Sequence, residues 1–152
     1  PLCGSCPLQK NCVAFAKELQ ADIPYRKEKP KKPRRYGKAF LITDSTGRLL
    51  LQTRPEKGLL ANMMEVPSTL WSEDLDVVES SFEVLCGAGK ITPLYKTIKH
   101  TFTHFHLELE VHYGGANDFI PQHSQVKWVA MKDLKNYPLP TLMKKVIKAG
   151  AA

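Results

Sequence analysis

An α+β domain, a mixed β-sheet packed with helices, is predicted by three features of the sequence. From Phe105 to Tyr113 the chain alternates with almost no break. Phe105, Leu107, Leu109, Val111 and Tyr113 share one face, and His106, Glu108, Glu110 and His112 the other, the period-two signature of a half-buried antiparallel strand. Ala39–Thr43 and Arg48–Gln52 are apolar runs joined by Asp44-Ser45-Thr46-Gly47, a hairpin signal. Two segments carry the helical period instead. Leu75, Val78, Phe82 and Leu85 follow Ser72 as N-cap and stop at Gly87, while Leu142, Met143, Val146 and Ile147 follow Pro140.

The remaining elements fall between these. A loop over Pro55–Asn62 leads into a short extended stretch at Met64–Val66, ended by Pro67. Tyr95–Lys99 reads as a strand, as does the alternation of Val126, Trp128 and Ala130. Upstream, Val13–Leu19 has a short helical pattern, and residues 21–35 hold Pro24, Pro30 and Pro33 among basic side chains with almost nothing to bury. That composition predicts an extended connector. The compact domain is therefore expected over 36–152, the connector over 13–35, and a separate cysteine-bearing piece over 1–12. No internal repeat is visible.

Charge is concentrated rather than spread. The 152 residues carry 22 Lys+Arg against 15 Asp+Glu, a net +7. Arg26 to Lys38 alone holds eight basic residues and one acid, so the rest of the chain has fourteen of each sign. A local run of this kind suits a polyanion, nucleic acid first, or else a solvated linker. Lys31, Lys32, Arg34 and Arg35 are its candidate phosphate ligands. Apolar content of 43% fits a globular core. No apolar stretch reaches the roughly 18 residues that span a bilayer, so no membrane partner is expected, and nothing resembles a signal peptide.

Three of the four cysteines lie at Cys3-x2-Cys6-x5-Cys12 and the fourth, Cys86, stands alone. Tight thiolate spacing in a turn-rich segment points to zinc or an iron–sulfur cluster in a reducing compartment. A closed tetrahedral site needs a fourth ligand, either remote or upstream.

The trio resembles the last three ligands of the C-x6-C-x2-C-x5-C motif of helix-hairpin-helix DNA glycosylases. Three further stretches are similar to the adenine DNA glycosylases of the MutY type. Gly58-Leu-Leu-Ala-Asn-Met-Met-Glu-Val-Pro67 resembles Gly-Leu-Leu-Ala-x-x-Trp-Glu-Phe-Pro. His100-Thr-Phe-Thr-His-Phe-His-Leu107 resembles His-Thr-Phe-Ser-His-Phe-His-Leu, and Tyr137-Pro-Leu-Pro140 matches the ending before the last helix. The resemblance implies a C-terminal fragment of such an enzyme, with a Nudix-like (MutT-like) fold that recognises 8-oxoguanine opposite mispaired adenine. It implies base-excision repair, double-stranded DNA carrying 8-oxoguanine:adenine mispairs as partner, and a second partner in the catalytic helix-hairpin-helix domain of the same polypeptide. It further implies a monomer and a bacterial cytoplasmic, nucleoid-associated setting.

By the same resemblance Cys3, Cys6 and Cys12 ligate a 4Fe–4S cluster in the intact parent. This fragment is expected to hold none and to be inactive alone. Phe102, Thr103 and His104 take the lesion-reading positions, Thr103 standing where the family has serine. Phe102 either packs against bases or anchors the loop in the core. The alternative is a free-standing Nudix-type nucleotide pyrophosphohydrolase. That chemistry needs the pattern Gly-x5-Glu-x7-Arg-Glu-x-x-Glu-Glu-x-Gly, whose carboxylate run is missing after Pro67. Glu79 and Glu83, one turn apart, read as a charged outer helix face. A metal site on His104, His106 and His112 is disfavoured by the distance of His112, and a solvent-facing polar stripe is the preferred reading.

Overall fold

A computed structural model describes residues 1–25, 30–86, 89–121 and 125–150. Arg26, Lys27, Glu28 and Lys29 of the basic run, and the expected helix stop at Gly87, lie outside them. Two compact units emerge, Pro1–Lys31 and Lys32–Ala152. The first holds two single 3₁₀ turns, Cys3–Ser5 and Gln9–Asn11, and one helical turn, α1 (Val13–Ala16).

The second unit is a six-stranded mixed sheet. Strands β1 (Arg34–Thr43), β2 (Leu49–Thr53), β3 (Met64–Glu65), β4 (Thr92–Thr101), β5 (His106–Gly115) and β6 (Val126–Val129) lie in the order β3-β2-β1-β5-β4, with β6 also paired to β2. The hairpin forms as expected, closing at Thr43↔Leu49. Gly47 takes φ +76°, open to glycine without a Cβ penalty, and Asp44 accepts the N–H groups of Thr46 and Arg48 at 2.9 Å.

One pairing departs from expectation. β5 is antiparallel only to β4; along its other edge it runs parallel to β1 for its full length, Arg34↔His106 to Thr43↔Gly115. This pairing draws Arg34 and Arg35 out of the expected connector and into the sheet, so the strand starts two residues before Tyr36. Their backbone groups gain ladder partners that an isolated connector lacks.

Helices cover both faces. α3 (Thr141–Gly150) buries Leu142, Met143, Val146 and Ile147 against Ala39, Leu41, Leu107, Leu109 and Val111. On the opposite face α2 (Leu75–Cys86) packs Leu85, Cys86 and Phe82 against Phe40 and Ile42. Its cap is Asp74, whose carboxylate accepts the Asp76 N–H at 2.9 Å; Ser72, the expected cap, instead accepts from Asp74 N–H at 3.0 Å. Among the described residues no helix is long and apolar enough to cross a membrane.

α2 also corrects the reading of β5. His112, expected on a solvent face, is 6% exposed, packed between Phe40 and Phe82 at ring distances of 5.8 and 5.6 Å. Tyr113, expected inside, is 44% exposed. With helices on both faces, alternation no longer divides core from solvent.

Candidate nucleic-acid interface

β4 and β5 pair up to Thr101↔His106, which leaves residues 102–105 as a four-residue link. The Phe102 N–H donates to the Phe105 carbonyl at 2.9 Å, and Thr101 Oγ1 lies 2.9 Å from His106 Nδ1. Phe105 is buried. Phe102 is half-buried, its ring 4.9 Å from Phe105, 4.6 Å from His100 and 6.0 Å from Trp71. Each such aromatic pair contributes about 0.5–1.5 kcal/mol beyond area burial. Both readings of Phe102 thus meet the same fact: it anchors the link, with part of its surface left open. Thr103 and His104 are exposed at the tip, and among the described residues neither side chain has a protein hydrogen-bond partner. The chain therefore presents a hydroxyl and an imidazole on a fixed aromatic base.

Trp71 completes that base. Residues 67–72 run antiparallel beside β1, with Phe40 N–H to the Pro67 carbonyl at 2.8 Å and Tyr36 N–H to the Ser72 carbonyl at 2.7 Å. The indole fits because Gly37 lies beneath it: a Cβ there would come within 2.9 Å of both Trp71 and Leu109. Sequence reasoning missed Trp71, since no local pattern announces this packing.

The basic residues divide into two groups. Lys32 Nζ donates to the Phe102 carbonyl at 3.0 Å, Arg34 pairs with Glu108 at 3.3 Å, and the Arg35 guanidinium lies 4.5 Å over the Phe105 ring. Lys32 and Arg35 thus touch the 102–105 link itself, and Arg34 lies beside its end on β5, opposite His106. Lys31 is exposed and makes no ion pair among the described residues. Behind the link lies a cavity of about 340 Å³ lined by Arg35, Arg54, Glu65, Trp71 and Phe105 among others. Glu65 is buried, paired with Arg54 and accepting from Gln52 Nε2 at 3.0 Å; Arg54 stacks 5.0 Å over Trp71. Glu65 belongs to the quoted Met-Glu-Val-Pro stretch, the one signal that pointed at this network.

The remaining candidates do not converge. Among the described residues no three of His, Cys, Asp and Glu come together to hold a metal. Cys3, Cys6 and Cys12 are free thiols on and beside two successive 3₁₀ turns. His106 is tied to Thr101, and His112 is in the core. Burial first, then the nearby Lys38, lowers the His112 pKa, with Glu110 and Glu79 opposing. Glu79 is more than a solvated face: both its oxygens lie 2.7 Å from Lys38 Nζ.

Residues 38–149 match the NUDIX domain family. The chain belongs to the NUDIX family. Over 137 residues, 81% of its length, it is 30% identical to the adenine DNA glycosylase of Homo sapiens, and it spans about a quarter of that relative, 25%. The structure is similar to the C-terminal domain of mouse MUTYH, solved in complex with human PCNA: TM-score 0.59, 20% identity, 77% of this chain and 87% of that one. It is also similar to the MutT protein of Methanosarcina mazei Go1, with TM-score 0.56 and 20% identity over 82% of this chain and all of that one, 100%. The recognition of a C-terminal glycosylase fragment with a Nudix-like mixed sheet is thereby supported.

The NUDIX match makes the hydrolase pattern directly comparable. Aligned on Gly87, its Arg-Glu-x-x-Glu-Glu positions fall on Ser80, Ser81, Val84 and Leu85. All four line a cavity of about 470 Å³ together with Gln52, Ser68 and Leu70. None of these lining residues is acidic.

Proposed function

We propose that this chain is a lesion-reading module for base-excision repair, contacting 8-oxoguanine opposite mispaired adenine through the 102–105 link and performing no hydrolysis itself. The observation that carries this is the pairing of an unpartnered, exposed Thr103 hydroxyl with a rigid aromatic base. Guanine offers N7 as a major-groove acceptor. Oxidation at C8 puts a hydrogen on N7 and an oxygen on C8, so that edge becomes one donor and one acceptor. A hydroxyl donates and accepts at once. Thr103 therefore matches the oxidised edge with one side chain, and its β-branch limits χ1 to few rotamers. Phe102 and Phe105 fix the backbone from which it projects, and His104 is placed for a phosphate or base contact. In the intact polypeptide the adenine would be extruded into another domain, which would also carry the glycosidic chemistry, while Cys3, Cys6 and Cys12 would supply three ligands of the 4Fe–4S cluster.

The second reading, nucleotide pyrophosphohydrolysis, needs carboxylates to hold divalent cations. Ser81, Val84 and Leu85 supply none. Incubating the chain with 8-oxo-dGTP and Mg²⁺ tests this: no turnover above buffer is expected, and efficient turnover would sink the proposal.

A further inference from the structure

Outside the basic run the chain is neutral in sum but not in arrangement. The α2 side carries Glu73, Asp74, Asp76, Glu79 and Glu83 with no basic residue between 73 and 86. The α3 side is the reverse: its outward face is Thr141, Lys144, Lys145 and Lys148, with no acid in the helix. Because the two helices cover opposite faces of one sheet, the folded unit has a cationic side and an anionic side.

The cationic side continues onto the neighbouring edge strand. Lys96 of β4 donates to the Ala149 carbonyl at 2.7 Å, joining the strand to the end of α3. Lys99 extends with its side chain 74% exposed, 3.6 Å from Glu108. His100, next along β4, has its pKa lowered by burial and then by the charge of Lys145, and its ring lies 4.6 Å from Phe102. A continuous path thus runs from α3 through His100 to the link that presents Thr103.

Resting on the reading of that link as a base contact, we propose that Lys144, Lys145, Lys148 and Lys99 form a second DNA-backbone surface, separate from the basic run and reaching the same duplex. Lys144, Lys145 and Lys148 have no i,i+4 acid to pair with, and Lys99 shares the single Glu108 carboxylate with Arg34, so positive charge is left over to neutralise phosphates. The rise from Lys144 to Lys148 is about 6 Å, close to twice the spacing of about 3.4 Å that one strand's phosphates have along the duplex axis. An anionic lipid surface suits the face less well. Interfacial helices insert large apolar side chains beside their lysines, and every large apolar residue of α3 is buried in the core.

The test is duplex binding by the 152-residue chain, followed by fluorescence anisotropy across a NaCl series. Changing Lys144, Lys145 and Lys148 together to Gln should lower the slope of log K against log salt by about 2–3, since each phosphate contact contributes about 0.9. A charge-matched control, Lys10→Gln/Lys57→Gln/Lys127→Gln, should lower it far less. Equal effects would reduce the face to net charge, and an unchanged slope would remove it; either overturns the inference. So would tighter capture by phosphatidylserine vesicles than by duplex. Lesion preference that survives in the α3 variant with an unchanged slope refutes this surface alone, whereas no salt-dependent duplex binding by the parent chain refutes the DNA reading as well.

Discussion

Replacing Phe102 with Ala should lower the stability of the folded unit by about 2 kcal/mol. A fully buried Phe→Ala change costs about 3–5 kcal/mol. Phe102 is half-buried, so roughly half of that, about 1.5–2.5 kcal/mol, applies, and its three aromatic neighbours, His100, Phe105 and Trp71, keep the value from falling below that range. For a domain of this size about 2 kcal/mol lowers Tm by roughly 6–10 °C. Differential scanning calorimetry of wild type, Phe102→Ala and Phe102→Leu measures it directly. The leucine variant should recover most of the loss, because it refills much of the volume. If Phe102→Ala melts within a degree of wild type, the ring is not an anchor. The link would then owe its shape to the backbone hydrogen bonds alone, and the preorganised Thr103 would lose its basis.

Three other outcomes follow from buried groups. His112 has its pKa lowered by burial and by Lys38, so the unfolded chain binds a proton more readily than the folded one. Its contribution is present above about pH 6.5 and is lost on acidification below that value; the urea midpoint of wild type should fall more between pH 7.5 and 5 than that of His112→Leu, and parallel curves would contradict this. Arg54→Met strands the buried Glu65 carboxylate and should cost about 3 kcal/mol, whereas Arg54→Met/Glu65→Leu should cost less than the single change in the same denaturation assay. Burial pushes the Cys86 thiol up to about 11, so at pH 7.5 a thiol-exchange reagent should modify Cys3, Cys6 and Cys12 quickly and Cys86 only on unfolding; four equal rates would count against the placement of α2.

Much of the fold was legible because its signals are local. The Asp44–Gly47 turn, the α3 stripe and the alternation at 105–113 each declare themselves within about ten residues. The parallel pairing of β5 with β1 does not, since it joins segments some seventy residues apart and leaves no local pattern. Two misreadings have the same non-local origin. Arg34 and Arg35 read as connector because proline and charge surround them, yet β5 supplies their ladder. His112 reads as solvent-facing because alternation assumes one open face, yet α2 closes it. At the site the exposed pair Thr103 and His104 was readable through resemblance. Trp71 was not, and Lys32 was readable only as a phosphate ligand of the basic run, because their contacts with Phe102 exist only once the sheet has formed. The neutral remainder of the charge count likewise concealed a polarity that appears only when α2 and α3 take opposite faces.

The most direct test of the central reading compares two duplexes that differ by one oxygen. Titrating the chain with a labelled duplex containing 8-oxoguanine opposite adenine, and with its guanine counterpart, at equal salt gives the ratio of dissociation constants. The account predicts tighter binding of the lesion duplex by the wild-type chain, with the ratio falling toward one in Thr103→Ala while overall affinity is largely kept. Equal affinities for the two duplexes in wild type, or a lesion preference untouched by Thr103→Ala, would contradict it.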